Sequence, residues 1–595
     1  MILRSAPEQP TARILEQLPA IQARIDREWG DAIRRVTIFF SGEKGPVQFR
    51  CGGELLILHI GDRPGGEWKE SVFPEPEEIG LAPFPLRNVG LYFPRKKGDS
   101  RWDSIALPAS SLFLGSALRR AGFQVRVRPL DLPGDGRSIE ADGDDLLGFT
   151  LFEDLFEETR EHLHGLREQF AGLIAAGGPL VTLAPLAAAY HLPQVNLLVR
   201  GEGELVLPPI LRAIGDGNLE ALLGFSGLFF QRGRLIVLSD FDRVNRVEDF
   251  GRFDFDLGFM TRPQFEKGLE VNLSRGCRRR CAFCSRVQGG ALRKIPLDKI
   301  GKLLSGYEKK LTEFEIDTPD ARTININDDD ILQDPAFAGE VMKLVRKNGF
   351  SLWGIQTSIQ SLIDRRGKSD GQALEILGNP EFFFQKRPLV WLGTDTFLTA
   401  RGKRLGKEIP PVSQIEKLAG EFEKRGIRHF HYWIASDFDS TWSEFIAEVL
   451  LILSFRKRFP GFGLLAHAPF LVPYPSTPVY RMIVGGGMTN QLRLKKVLPS
   501  ARPEFAYPLV SAVETRFPNL NRLLRNEPDP ASGRGGFFDF LKAGDNFFAL
   551  RLIHHFLRQE RLESESAGQN DFSSLLRAEE AKLEDVLSRM SSRSS

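Results

Sequence analysis

The sequence predicts an α/β protein: a doubly wound N-terminal domain, then a partial (β/α)6 barrel, then a mainly helical C-terminal region. Three observations carry this. From Arg87 to Asn218, short apolar runs alternate with helix-patterned stretches, the pattern of a parallel sheet covered by helices. From Leu269 to Tyr480 the alternation repeats six times. The loop after the first strand of that second unit, Val271–Gly290, holds three of the four cysteines. Barrels of this kind place their chemistry at the carboxyl ends of the strands.

Taken in order, residues 1–86 form an N-terminal extension, with a helix pattern over Arg13–Trp29 and strand patterns at Val36–Phe40 and Glu54–Ile60. Pro74–Pro85 carries four prolines and reads as a linker. In residues 87–218 the expected strands are Asn88–Phe93, Phe123–Leu130, Asp145–Thr150, Leu173–Ala176 and Val195–Val199. Helices are expected over Ser110–Ala121, closed by Gly122, and over Leu155–Phe170. Residues 219–268 read as a connecting segment with one strand-like run, Leu235–Leu238. Residues 269–484 form the barrel, with strands at Glu270–Leu273, Thr323–Ile326, Leu352–Thr357, Leu389–Leu392, His429–Ile434 and Gly463–Ala466. Asp334 before Pro335, and Thr441 three residues before Glu444, are helix-start signals. Residues 485–595 read as a helical tail. Its Phe537–His555 segment is expected to pack on the barrel mouth or the linker.

At 595 residues the length prior is about three or four domains. A net charge of +2 gives no electrostatic argument for nucleic acid or for an acidic membrane surface. Gln169–Val199 has no charged residue and is long enough to span a bilayer, but Pro179, Pro185 and Pro193 break it. No membrane span is expected. Met1–Thr11 lacks the apolar run of a signal peptide, and few cysteines suit a reducing compartment, so a cytoplasmic protein is expected.

Cys277, Cys281 and Cys284 have the spacing C-x3-C-x2-C. Three thiolates on one short loop suit a 4Fe–4S cluster with one open iron. A structural zinc site needs four ligands, and the fourth cysteine, Cys51, is remote and reads as a small buried side chain.

The loop resembles the signature of the radical S-adenosylmethionine (radical SAM) enzymes, including the aromatic Phe283 before the third cysteine. The resemblance implies that three cysteines hold three irons and that SAM chelates the fourth. It also implies SAM contacts from Phe283, from Asp328 and Asp329 after the second strand, from Gln356 and Ser358 after the third, and from Thr394 after the fourth. The Asn325–Asp330 acids read equally well as a solvated loop capping the next helix. Val472–Tyr480 resembles the proline-rich stretch that closes many such domains, with Ser476 where glycine is usual. His429 and His431 share one face of the fifth strand and read as core histidines.

Upstream, AGGPLVT (Ala176–Thr182) and VRGEGE (Val199–Glu204) resemble loops of the Rossmann-like cobalamin-binding domain that precedes many radical SAM domains. That resemblance implies cobalamin contacts from Thr150, Gly177, Gly178, Pro179, Thr182, Gly201 and Glu202. None of the nine histidines lies in a D-x-H-x-x-G setting, so no lower axial imidazole is expected from such a loop. A doubly wound domain with another role is the plainer alternative.

Together the resemblances imply a cobalamin-dependent radical SAM C-methyltransferase. It would be reduced by an external donor such as a flavodoxin or ferredoxin and act on a small-molecule, lipid or peptide substrate. The alternatives are a radical SAM cyclase or mutase without methyl transfer, and a catalytically silent SAM- or cobalamin-binding protein. The 46 phenylalanines do not identify the substrate, since core packing accounts for them equally.

Overall fold

The computed structural model of the chain describes residues 86–592, apart from loop segments that include 97–106, 133–138, 240–243, 466–469, 486–491, 499–506 and 529–534. Before residue 86 it describes the backbone of Ile2–Leu3, Ile33–Phe39 and Leu55–Gly61. The Arg13–Trp29 helix, Cys51, the Pro74–Pro85 linker and Ser476 fall outside the described residues.

Five parallel strands make one half of the first sheet, in the order Gln124–Leu132, Asn88–Lys96, Leu146–Thr150, Leu173–Gly177, Leu197–Val199. Leu146–Thr150 and Leu173–Gly177 lie inside the sheet, and their apolar residues are buried in succession. Gln124–Leu132 is the edge, and its Gln-Val-Arg-Val start alternates exposed and buried. The strand order reverses between Asn88–Lys96 and Leu146–Thr150. At such a switch point the loops diverge beyond the carboxyl ends of the strands and leave a crevice.

The sheet does not stop at residue 218. Leu228–Arg232 pairs antiparallel with Leu197–Val199, and Leu235–Ser239 follows it as a hairpin. Ile33–Phe39, Leu55–Gly61 and Ile2–Leu3 complete ten strands. Leu235–Leu238 was legible as a strand, whereas its partner was not, because nothing local in Leu228–Arg232 says which edge it will join.

The second unit starts at Leu269–Val271 and continues through Thr323–Ile326, Leu389–Asp395, Arg428–Trp433 and Phe462–Leu465. The third strand departs from expectation. It is two pieces, Ser351–Leu352 and Ile355–Ser358, belonging to separate three- and four-stranded sheets. The break falls at Trp353-Gly354, where the Trp391 ring takes the space of a side chain: a Cβ on Gly354 would lie 2.7 Å from it. The helix starts follow their signals. Asp334 accepts from the Phe337 N–H, and Thr441 and Glu444 form a reciprocal capping box.

An apolar core runs from Leu91 and Phe113 through Phe250, Phe253 and Phe259 to Val271 and Leu303. The segment between the two sheets is therefore packed core as well as connection. The tail also differs from expectation. It begins with an antiparallel pair, Leu492–Leu498 with Tyr507–Val513, before its helices. Phe537 and Phe538 pack on Phe445 and Trp433, and the Arg456 guanidinium donates to the Leu541 carbonyl. The helix that receives the tail is Trp442–Arg458, not the barrel mouth.

His429 and His431 are fully buried between the fifth strand and the helix layer, against Phe422, Phe397 and Phe462. Thr394 Oγ1 lies 2.7 Å from His431 Nδ1, whose other nitrogen lies 2.9 Å from His429 Nδ1. Burial lowers His429 to about 4 and His431 well below its ordinary value. The unfolded chain therefore binds more protons below its histidine pKa, near 6.5. Stability present at neutral pH should be lost as pH falls from that value toward about 4. In urea titrations across this range, His429→Gln should flatten the slope; an unchanged slope would refute the assignment.

Candidate functional site

The cysteine loop leaves the first barrel strand as one arm of a short hairpin, Ser274–Arg275 paired with Arg293–Lys294. Gly276 turns the chain at φ +93°, where a Cβ would lie 2.1 Å from the Ala291 carbonyl oxygen, so no other residue fits. The Cys277 N–H donates to Gly289 O, and the Cys284 N–H to Cys281 O. None of the three cysteines is in a disulfide, and Cys284 is the most exposed. Burial pushes the Cys277 thiol up to about 11 and raises that of Cys281.

The acids after the second strand form a staple. Asp328, 3% exposed, accepts from the Leu273 N–H (2.7 Å), the Ser274 N–H (2.7 Å) and the Ser274 hydroxyl (2.6 Å). Asp329 accepts from the Gly276 N–H at 3.1 Å. Asp330 accepts from Thr357 and Ser361 at the end of the third strand. The expected SAM contact Asp328 is thus spent on the backbone that carries the cysteines, while Asp329 reaches the cleft described below. Asp328→Asn would set an NH2 group against donors, costing about 1–3 kcal/mol for the lost acceptor. Lower iron retention at equal expression is the expected outcome, measured by iron assay after desalting.

Gln356 and Ser358 share the inner face of the barrel. Gln356 pairs in register with Trp391, and Trp391 with Phe430. The Tyr432 hydroxyl donates to Gln356 at 3.4 Å. Thr394 does not join them, because strand alternation turns it into the helix layer toward His431. Phe283 packs in a small apolar cluster with Leu405, Leu471, Val479, Ile483 and Val513. There the Val479 N–H donates to Ala282 O and ties the proline-rich closing stretch to the cysteine loop.

Two inner-face groups escaped sequence reasoning. Lys407, 6% exposed, donates to the Gly393 carbonyl at 2.5 Å and pairs with Asp395. Burial works against its charge, but Asp395 and the neighbouring Cys281 outweigh it. Glu270 accepts from Asn327 at 2.8 Å, and burial raises it to about 7. The charged pair at the end of the fourth strand was detectable as Asp395 alone. Its lysine lies a helix away in sequence.

Between the two sheets lies a cleft of about 290 Å³. Thr150, Gly177, Gly178, Pro179, Thr182, Gly201 and Glu202 all line it, facing Asn272, Arg275, Gln288 and Asp329 from the barrel rim. Gly178 (φ +95°) and Gly201 (φ +87°) hold conformations that favour glycine. The Thr182 hydroxyl joins their loops, donating to Gly178 O and accepting from the Gly201 N–H. Glu202 has a further commitment. It pairs with Arg293 at 2.7 Å and Arg275 at 3.3 Å, and accepts from the Val247 N–H at 2.6 Å. Arg275 also pairs with Glu204 at 2.7 Å and lies over the Phe113 ring. Burial opposes the Glu202 charge, yet the two arginines hold it below the usual carboxylate range. This buried seam of two arginines and two glutamates locks the cysteine hairpin to the glycine loops.

No family model matches the sequence. An uncharacterised methyltransferase of Pyrococcus horikoshii, PH0819, is 28% identical over 156 residues, which are 24% of this chain and 33% of that protein. The chain thus matches about a third of that relative's length. Among solved structures, it resembles the radical SAM methyltransferase TsrM from Kitasatospora setae, solved with cobalamin and a 4Fe–4S cluster. The TM-score is 0.55 and the identity 18%, over 75% of this chain and 91% of TsrM. It also resembles the cobalamin-dependent SAM radical enzyme OxsB, solved with aqua-cobalamin and SAM. There the TM-score is 0.56 and the identity 14%, over 96% of this chain and 88% of OxsB. At these identities the likeness speaks to architecture, and this chain has the fold of the cobalamin-dependent radical SAM enzymes.

Proposed function

We propose that this protein is a cytoplasmic, cobalamin-dependent radical SAM enzyme. In this reading Cys277, Cys281 and Cys284 hold a 4Fe–4S cluster, SAM occupies its open iron, and cobalamin occupies the cleft. The reaction would add a methyl group to an unactivated carbon of a small-molecule, lipid or peptide substrate. The observation that carries the proposal is the juxtaposition itself: three cysteine thiols on a barrel rim, joined by one buried seam to a glycine-lined cleft.

The residues present fit these groups. Three thiols on one loop leave one iron position open. A Cβ on Gly178 would meet Thr150 Cγ2 at 2.9 Å and the Leu151 N–H nitrogen at 3.0 Å, so the cradle is already closed to a side chain. Gln288 Oε1, Arg275 Nε and Glu204 Oε2 are buried, have no hydrogen-bond partner among the described residues and belong to residues lining the cleft. An amide-rich corrinoid offers both donors and acceptors for them. No histidine lines the cleft among the described residues.

When bound, the cluster supplies the electron that cleaves SAM, and cobalamin carries the methyl group. The chain's part is to position and exclude water. Asp328 and Asp329 hold the hairpin, the Arg275 and Arg293 seam fixes it beneath the cleft, and Tyr432, Gln356 and the Asp395–Lys407 pair present polar groups inside the barrel. Anaerobic purification and reconstitution, followed by an absorption spectrum, should show iron–sulfur and corrinoid bands. A chain that takes up iron but retains no corrinoid would overturn the assignment of the cleft.

OxsB, which aligns with 96% of this chain, is a cobalamin-dependent SAM radical enzyme, a class that does not by itself require methyl transfer, and cyclisation or rearrangement is the second reading. Mass spectrometry separates them: one methyl gained per product favours transfer, and 5′-deoxyadenosine without methyl gain favours the second.

A further inference from the structure

The outer side of the cysteine loop carries charge that the proposed chemistry does not use. Arg278, Arg279 and Arg280 fill the whole interval between Cys277 and Cys281. A groove of about 480 Å³ opens beside them, lined by Arg278, Arg279, Gln333, Ser361 and Lys368 among others. Arg366 lies on the same loop as Lys368, and both are exposed, as are Arg278 and Arg280. Two carboxylates also line the groove, but each is engaged by backbone. Asp364 accepts from the Arg366 and Lys368 N–H groups, and Asp370 caps the next helix through the Ala373 N–H. Arg279 bonds Ser361 through one nitrogen, and its Nε is buried with no hydrogen-bond partner among the described residues. The groove lining thus carries three cations, Arg278, Arg279 and Lys368, against two carboxylates, and Arg280 and Arg366 add exposed positive charge beside it.

We propose that this groove is the docking face for a small, acidic, one-electron carrier protein that reduces the cluster. The proposal rests on the cluster reading above. Three physical points favour it. This chain has only one cysteine outside the loop, so it cannot hold a second cysteine-bound cluster to relay electrons inward. The inner side of the hairpin is closed by the Arg275 and Arg293 seam, with both arginine side chains 5% exposed, so a protein must approach from outside. A cationic rim around the acceptor also steers an anionic partner, raising association rates by about 10–10³-fold at low salt. In the transfer one electron leaves the carrier, which is oxidised by one unit, and enters the cluster; no bond forms or breaks and no proton moves.

The test follows bleaching of the iron–sulfur band of the reconstituted full-length chain by stopped flow. One reductant is reduced flavodoxin, an acidic protein; the other is reduced methyl viologen, a small cation that gains nothing from a basic rim. Arg278→Glu combined with Lys368→Glu should slow flavodoxin-driven bleaching about tenfold or more and weaken its salt dependence, with viologen-driven bleaching unchanged. Equal slowing with both reductants, or none with flavodoxin, overturns the proposal. If the double variant takes up no iron, Arg366→Glu, outside the ligand loop, carries the same test. Iron content of the parent protein separates the two ideas: a parent without iron removes the cluster reading, whereas a loaded parent insensitive to these charges removes only the docking face.

Discussion

Replacing Cys277, Cys281 or Cys284 with alanine is expected to abolish iron loading and SAM cleavage, each substitution by itself. Two thiolates and a methyl group cannot hold a cluster whose fourth iron must stay open. The loop offers no substitute: Ser285 follows the last ligand, and no histidine lies in Val271–Gly290. The backbone would survive, because the turn at Gly276, the Cys277 N–H to Gly289 O bond and the Asp328 staple do not involve the thiols. The loss should therefore appear in iron content and in 5′-deoxyadenosine formation while the urea unfolding midpoint of the iron-free proteins stays put. SAM cleavage persisting in any of the three variants would remove the premise of the functional reading.

The second large effect is expected from the seam. Arg275→Met leaves Glu204 buried without its partner and Glu202 with one arginine instead of two. Removing one member of a buried ion cluster costs about 3–5 kcal/mol, since the remaining charge keeps its desolvation penalty. The Arg275 guanidinium also lies 4.3 Å from the Phe113 ring centre, and that contact is lost with it. Arg275→Met together with Glu204→Met should recover most of the loss, because an apolar pair of similar volume bears no such penalty. Urea unfolding of the two singles and the double variant gives the coupling directly. A cost below about 1 kcal/mol for Arg275→Met would mean the pair behaves as a surface contact.

What could be read from the chain alone was whatever depends on near neighbours. Alternating apolar runs located the parallel strands of both units, apart from the break in the third barrel strand. The Asp334 and Thr441 caps act within one helical turn and stand where their signals put them. The cysteine triplet lies on a single loop, and the glycine loops at Gly177-Gly178 and Gly201 carry their own backbone requirement; all of the residues assigned to the corrinoid line one cleft.

What could not be read depends on partners distant in sequence. Thr394 was assigned to the active face by its place at a strand end, but strand parity points it at His431. The third strand looked continuous until Trp391 occupied the place of a side chain on Gly354. Leu228–Arg232 became a sheet strand because a free edge happened to lie beside it. The role of Asp328 appeared only with Leu273 and Ser274 as donors, 55 and 54 residues away. Arg275, Arg293 and Glu204 read as ordinary charges one at a time, and Glu202 as a corrinoid contact. Folding brings them out of water together, and a charge removed from water must find its partner wherever the chain has put it. Local sequence thus specified the elements and the spacing of the three cysteines, while long-range packing chose which polar groups face the cleft and which hold the walls in place.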